Sequence, residues 1–510
     1  MPLPKPNLVL PLAISYNERG VDGFATTVTS GKDQRKINSM YEPIKNALTG
    51  KTTLYLTKRP GVILSATTLG SGGTSYLIAL RPDVSDVSAI TAADYVLYAK
   101  SGNNINANAN TIVAEAANYP AYTDTTLISG VRTAVLQTVV NSGSGAGKGG
   151  TAWFASDISS WTQITDSDYT GLTVVGKMEH MDGYGFIASR PDSRIYNSDL
   201  NSLASWNPVN YITKQIVQDV NQGLARLGKM IIAFGLETME VYRNAGNPSG
   251  SPLAVVPELF HKTGMKVTKG SGATNYCATV GGRLYWVGAS NSYNGFLGAY
   301  AFDGGKVEKI STPAIDKILA AVADSSGDVY AINSVTVNGQ DAVAFLIDPP
   351  GTATMRWLMF FPAWNDWFEW NSTVFSPVNC GRYFLGTGNG AGNDIYTYFG
   401  TNGLALTGQW LDNATAYTMT HQFKIPHESD VRQHMKMCGV TGDTATAASS
   451  LGVSFSDDDD VNFSTARNID MTRNNSKTLN RCGTYYDRTV RLTHSGNVEC
   501  RLRNFVARIE

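Results

Sequence analysis

Apolar and polar residues alternate along this chain in short runs, broken every few positions by Gly, Asn, Ser or Asp. From about residue 150 one pattern recurs: an alternating strand, a polar tip, a second strand, then a loop. Leading strands are predicted at TAWFAS (151–156), YGFIAS (184–189), KMIIAFG (229–235), RLYWVG (283–288), DVYAIN (328–333) and RYFLGTG (382–388). Runs of four to eight residues bounded by turn formers are the mark of strands. Their starts lie 33 to 54 residues apart, which brackets the spacing of propeller blades. In YGFIAS, Tyr184, Phe186 and Ala188 point to one face and Gly185, Ile187 and Ser189 to the other. Both sets are substantially apolar, so each sheet is expected to lie between two neighbours. Second strands follow at TMEVYR, LGAYAFDGG, VAFLID and DIYTYFG. Tips such as Asn338-Gly339 and Asn389-Gly390 suit tight hairpins, because Asn and Gly tolerate positive φ.

Trp161, Trp206 and Trp367 each stand near the close of a unit, in otherwise polar sequence. They are expected to fill the wedge between adjacent blades; the competing reading is a set of unrelated hairpins with ordinary aromatic anchors. Residues 50–140 hold further strands, TTLYLT, TSYLIAL, DYVLYAK and TAVLQTVV. Between the last two, SGNNINANANTIVAEAANYPAYTD (101–124) reads as a long low-complexity loop. From residue 418 the spacing changes to two hairpin-like units. The expectation is therefore an all-β fold: residues 1–60 as an N-terminal segment with its first strand, 61–417 as a β-propeller of about six blades, and 418–510 as a C-terminal β module. Helices should be few and short. The clearest is STPAIDKILAAVAD, where Thr312 can cap, Pro313 suits the first turn, and Ile315, Ile318, Leu319 and Val322 share a face.

Composition narrows the function classes. Charged residues make up 16% of the 510, below the usual quarter, and 41 basic against 42 acidic residues leave a net charge of −1. No global field draws such a chain to nucleic acid or an acidic membrane. The start, MPLPKPNLVLPLAIS, has only Lys5 ahead of an apolar run that Pro11 breaks, so no secretory signal is expected. No apolar stretch approaches the roughly 18 residues of a membrane span. Cys277, Cys380, Cys438, Cys482 and Cys500 are odd in number and scattered. That favours reduced thiols in a cytoplasm over a disulfide scaffold or a zinc site.

Catalytic motifs fail their spacing tests. SGSGAGKGG (142–150) puts Ser142 where a phosphate loop needs glycine, follows Gly147-Lys148 with Gly149, and leads into a strand. SDDDDVNF places Ser456, Asp458, Asp460 and Phe463 at the spacing of an Asp-box turn, with aspartate where glycine is usual. The Asp457–Asp460 run reads as a solvated β-turn, with cation binding the open alternative. His180, His261, His421, His427, His434 and His494 form no ligand motif, and no G-x-S-x-G occurs. The last fifty residues carry nine Arg/Lys against four Asp/Glu, an excess suited to pairing with the acidic turn or a protein partner. No catalytic, cofactor-binding or metal-binding residue is nominated, and no cofactor is implied.

Several segments, in order, resemble one family. RIYNSDLNSLASWNP, IIAFGLETMEVYRNAGNPSGSPLAVVPEL and RLYWVGASNSYNGFLGAYAFDGGKVEKISTPAIDKI resemble its successive blades. QRKINSMYEPIKN followed by LYLTKRPGV, with Pro60-Gly61, is similar to its opening. The family is that of the packaged-DNA stabilisation proteins, the tail hub or nozzle of short-tailed bacteriophages (podoviruses). The likeness covers much of the first 370 residues, while the C-terminal module matches only in its alternating β character and its ending ARIE. It implies a six-bladed propeller per subunit and a homohexameric ring beneath the portal and its head-to-tail adaptor. Such a ring is a structural part of the virion tail, assembled in the host cytoplasm, and not an enzyme. It retains packaged DNA, passes double-stranded DNA through its lumen at ejection, and offers surfaces to a needle or plug and to tail fibres or spikes. The lumen is expected to be neutral to acidic, with the Arg-rich C-terminal module facing protein. The alternative from the residues alone is a soluble propeller that binds or cleaves glycans, suggested by the near Asp-box and the aromatic content.

Overall fold

A computed structural model of the chain describes residues 8–13, 35–45, 50–66, 74–80, 96–101, 104–107, 110–114, 121–129, 131–138, 151–155, 161–190, 192–265, 276–289, 297–324, 329–347, 356–372, 375–380, 383–386, 395–398, 410–412, 414–425, 431–445, 447–458, 460–473 and 477–510. The chain divides into two compact units. One comprises 65–355 and 375–396, the other 1–64, 356–374 and 397–510.

The first unit is a propeller. Blade 1 pairs Thr74–Leu80, Val96–Ser101, Asn104–Ala107 and Asn110–Ala114 in that order. Blade 2 follows with Ala121–Ile128, Val131–Thr138, Ala152–Ala155 and Thr162–Gln163. Blade 3 is Val174–Met181, Tyr184–Ser189, Arg194–Ser198 and Trp206–Thr213. Blade 4 is Gly223–Leu227, Met230–Phe234, Met239–Asn244 and Leu253–Val255. Blade 5 is Cys277–Val280, Arg283–Ala289, Leu297–Phe302 and Val307–Lys309. Blade 6 contributes the hairpin Val329–Val337 and Gln340–Ile347. Blade 7 opens with the hairpin Phe375–Cys380 and Tyr383–Gly386.

First strands are neighbours from blade 1 to blade 4 and from blade 5 to blade 7, and that of blade 7 returns against that of blade 1; blades 4 and 5 share a core that includes Ala225, Phe234, Cys277 and Trp286. The circuit thus has seven sheets among the described residues, one more than the leading strands from residue 150 suggest. The difference lies in blade 1. Its outer strands, Asn104–Ala107 and Asn110–Ala114, occupy the segment expected as a loop, paired with Ile105 opposite Val113. Asn- and Ala-rich strands of four or five residues can close a ladder by backbone hydrogen bonds, yet they carry too few apolar positions for periodicity to reveal them.

Local chemistry otherwise follows expectation. Asn338 (φ 49°) and Gly339 (φ 72°) form the two-residue turn of blade 6, with Val337 opposite Gln340. Asn389-Gly390 and the 142–150 run lie outside the described residues. The helix Pro313–Asp324 begins where Thr312 Oγ1 accepts from Ile315 N, and buries Ile315 and Leu319. Within Tyr184–Ser189 five consecutive residues are buried, as a sheet covered on both faces requires.

The second unit is not linear in sequence. One sheet orders Ser39–Lys45, Thr52–Lys58, Arg501–Ile509, Gln433–Gly442 and Thr478–Asn480, and Leu8–Pro11 also pairs with Arg501–Ile509. Another sets Arg356–Phe361, Asp366–Trp370, Arg35–Ile37, Met419–Lys424, Thr489–His494, Ser450–Ser456 and Arg467–Asp470 side by side. Rings of Tyr41 and Phe368, 4.9 Å apart, and of Phe423 and Phe505, 5.1 Å apart, pack one sheet on the other. Residues 1–60 and 418–510, expected as separate pieces, therefore share one unit with 356–374 and 397–417, which are expected in the propeller. Strand pairing is the cause: Ile37 lies opposite both Glu369 and Thr420.

Candidate functional site

Two kinds of junction hold the units together. Between blades the joint is apolar. Trp206 is buried, its Nε1 donates to Leu203 O at 2.8 Å, and its ring centre lies 5.1 Å from that of Tyr169. Its core joins Val135, Ala152 and Ile164 of blade 2 and its exit to Met178, Ile187 and Tyr196 of blade 3. The tryptophan fills an inter-blade wedge, as its position at a unit's close predicts. Trp286 does the same between blades 4 and 5, with Phe234 at 5.2 Å and Tyr300 at 5.9 Å. Trp367 does not. It packs on Phe360 at 5.0 Å inside the second unit, because its strand Asp366–Trp370 pairs there and not in a blade.

Tyr276 supplies a directional version of the wedge. Its hydroxyl accepts from Lys177 N (3.1 Å) and Leu224 N (3.0 Å) and donates to Leu224 O (2.5 Å), tying the first strands of blades 3 and 4. Glycine is required beside it: a Cβ on Gly176 (φ 73°) would stand 2.7 Å from the tyrosine oxygen, and one on Gly223 2.7 Å from the ring. Sequence reasoning passed over Tyr276, since one tyrosine after an undistinguished loop carries no periodic signal.

In the second unit the joint is ionic. Arg59 is wholly buried and uses all five N–H donors. Two go to the carboxylate of Asp412 (2.9 and 2.6 Å), one to Asn38 Oδ1 (3.1 Å), and two to the carbonyls of Pro60 (3.1 Å) and Asn371 (3.0 Å). Its guanidinium lies over the ring of Tyr417, 3.9 Å from the centre, and the Tyr417 hydroxyl donates back to Arg59 O. Asn38, held at φ 51°, donates to Asn371 Oδ1 (2.6 Å) and Thr418 O (3.0 Å). Lys58 donates to Trp410 O and Gly496 O at 3.0 Å. Burial, and then the Arg59 charge, pull Lys58 down to about 8. A Cβ on Gly61 would meet Leu411 O at 2.0 Å, so the KRPG sequence is fixed by contact as well as charge. Lys36 pairs with Asp366, whose carboxylate also accepts from Tyr41 at 2.7 Å. The opening segment QRKINSMY…LYLTKRPGV is thus the hub of this unit. Its sequence signal was two consecutive cations at the end of an apolar strand.

The remaining candidates are absorbed by their neighbours. Asp457 takes a two-pronged pair from Arg488 at 2.7 Å. Asp458 accepts from Ser456 Oγ, Asn462 N and Asn462 Nδ2, and those hydrogen bonds hold it down at about 2. Asp459 lies outside the described residues. Among the described residues no group of three His, Cys, Asp or Glu side chains is placed to hold a metal. Of the C-terminal cations, Arg501 pairs with Glu42 at 2.7 Å and Glu499 at 2.8 Å, Arg491 lies over Phe463 at 3.3 Å, and Arg467 donates to the carbonyls of Asn480 and Arg481. His494 is buried against Ser449, and desolvation with the Lys58 charge lowers it to about 4. His261 meets Phe302 edge-on, and His427 lies outside the described residues. No helix among the described residues is long and apolar enough to cross a membrane.

The family model described as Phage_stabilise, bacteriophage P22 Gp10, beta-propeller, matches residues 93–347, from the second strand of blade 1 to the end of the blade 6 hairpin. No curated protein matches the chain. Among solved structures, a periplasmic gluconolactonase of Pseudomonas aeruginosa is similar at 15% identity and a TM-score of 0.35, covering 69% of this chain and 93% of that one. The six-bladed fungal lectin of Aleuria aurantia is similar at 10% and 0.31, covering 65% and 94%. An exo-β-1,3-galactanase of Phanerochaete chrysosporium gives 11% and 0.31, covering 85% and 100%. Scores this low carry no argument about function.

Proposed function

Since the chain belongs to the phage-stabilisation family described by bacteriophage P22 Gp10, a β-propeller family, we propose that it is a subunit of the tail hub or nozzle ring of a short-tailed phage. The ring, most simply of six copies, continues the DNA channel below the portal and its adaptor. It retains the packaged genome and presents surfaces to a needle or plug and to fibres or spikes. The observation that carries this reading is the family match over residues 93–347, from within blade 1 to the blade 6 hairpin.

The physics of the two units supports it. A subunit that closes a ring through a heterologous interface must hold its two contact faces at a fixed angle, because any drift opens the ring into a filament. Aromatic wedges such as Trp206 and Trp286 and the buried Arg59–Asp412 hub supply that stiffness. Near-zero net charge suits a conduit, since each phosphate contact adds a salt-dependent grip that would slow ejection. The lumen in this reading is neutral to acidic, and the Arg-rich C-terminal strands face protein. Antibody labelling of virions against residues 431–510, with a parallel assay for sugar release from host polysaccharide, tests the proposal. Label at the tail with no sugar released is expected; an unlabelled virion, or catalytic release of sugar by the purified chain, would overturn it.

A further inference from the structure

We infer that Cys438 and Cys482 form a dithiol that closes to an intrachain disulfide when the protein meets a small oxidant such as a peroxide. Their sulfurs lie 3.5 Å apart, though the residues are separated by 44 positions in sequence. Cys438 sits in Gln433–Gly442 opposite Leu479. Cys482 sits in the turn that follows Thr478–Asn480, between Arg481 and Gly483, both at positive φ. Backbone hydrogen bonds hold the pair face to face: Cys482 N donates to Met435 O at 3.0 Å and Met435 N to Gly483 O at 2.9 Å. A disulfide needs its sulfurs about 2.05 Å apart, so closing the bond requires a further approach of about 1.5 Å.

The surroundings favour a thiolate on one partner. Arg488 donates to Cys482 O at 2.6 Å, and Arg467 donates to the carbonyls of Asn480 and Arg481. The neighbouring Cys438 thiol and these cations lower Cys482 to about 7, while the same contact and burial push Cys438 up. Thiolate, not thiol, is the reactive form. All four cysteines with described side chains, Cys277, Cys438, Cys482 and Cys500, are buried, and burial pushes Cys500 up to about 12.

The chemistry balances with peroxide as the two-electron oxidant. Cys482 thiolate attacks one peroxide oxygen, forming S–O as O–O breaks, and the departing hydroxide takes up the proton that Cys482 released, giving water. Cys438 then attacks the Cys482 sulfur, forming S–S as S–O breaks, and its own proton leaves with the second water. Two thiols are oxidised and one peroxide becomes two waters. The inference stands apart from the ring proposal and fails or survives without it.

The test treats the full chain with hydrogen peroxide under native conditions, alkylates the remaining thiols, and maps peptides without reduction. The expected result is a Cys438–Cys482 linked peptide pair lighter by two hydrogens, with Cys277 and Cys500 still alkylated. Dithiothreitol should reverse the link, and Cys482→Ser should abolish it. The oxidised chain should also melt higher, by on the order of 5 °C, because the link restricts the unfolded ensemble. Separately alkylated Cys438 and Cys482 after oxidation, a sulfinic acid on Cys482 beside a free Cys438, or a link to a second chain would each overturn the inference. If Cys482→Ser does not fold, the wild-type map alone decides.

Discussion

The propeller and the unit formed from the chain ends are both β-structures, yet they are held by opposite means. In the propeller each sheet finds its neighbour next along the chain, and the joint is a wedge of rings and aliphatic groups around Trp206 and Trp286. Such contacts are non-directional, so loops between blades can vary freely as long as volume is kept. In the other unit, strands from three distant stretches must select one another, and Arg59 meets Asn38, Asn371 and Asp412 through bonds of fixed direction. Near neighbours here are joined mainly by shape, with Tyr276 adding direction, whereas the distant segments add directed charge to their aromatic packing.

Substitutions can break that contrast, and the largest effect is expected at the hub. Asp412→Ala should destabilise the chain by about 4 kcal/mol, because it leaves the Arg59 charge buried and unpaired; urea unfolding followed by tryptophan fluorescence reads it. Replacing both partners with apolar residues of similar volume should cost much less, which separates the lost pair from the abandoned charge. Trp206→Ala should cost about 3 kcal/mol through the cavity left between blades 2 and 3. Its signature is faster hydrogen exchange in those two blades, with the second unit unaffected.

Acid should discriminate between the units as well. His494 is held at about 4 against an ordinary 6.5, with burial the main cause, so the folded protein favours the neutral ring. The unfolded chain takes up the proton first as pH falls below 6.5. This stabilisation is therefore complete above pH 6.5 and is lost as pH falls through 4, on the order of 2 kcal/mol. A stability profile over that range should flatten in His494→Gln. The smallest effect is expected at Tyr276→Phe, about 1 kcal/mol, since the backbone donors of Lys177 and Leu224 lose their acceptor. Differential scanning calorimetry of the variant beside wild type measures it.

What the sequence disclosed follows the same division. Blades 3 to 5 were legible because alternation and turn residues agree within each 33- to 54-residue span, with Trp206 marking the close of blade 3. The outer strands of blade 1 were not, since Asn104–Ala107 and Asn110–Ala114 have too little apolar character to alternate. The partition at 418 missed the pairing of Leu8–Pro11 with Arg501–Ile509 and the transfer of Arg356–Val374. Pairing between strands hundreds of positions apart leaves no local period. Arg59 and Asp412 were hidden for the same reason, and so was the meeting of Cys438 with Cys482.

Imaging of the purified chain mixed with its head-to-tail adaptor tests the central claim most directly. Closed rings of six copies seated on the adaptor, each showing a seven-bladed body, are predicted. Monomers that never join the adaptor, or open filaments in place of rings, would contradict the account.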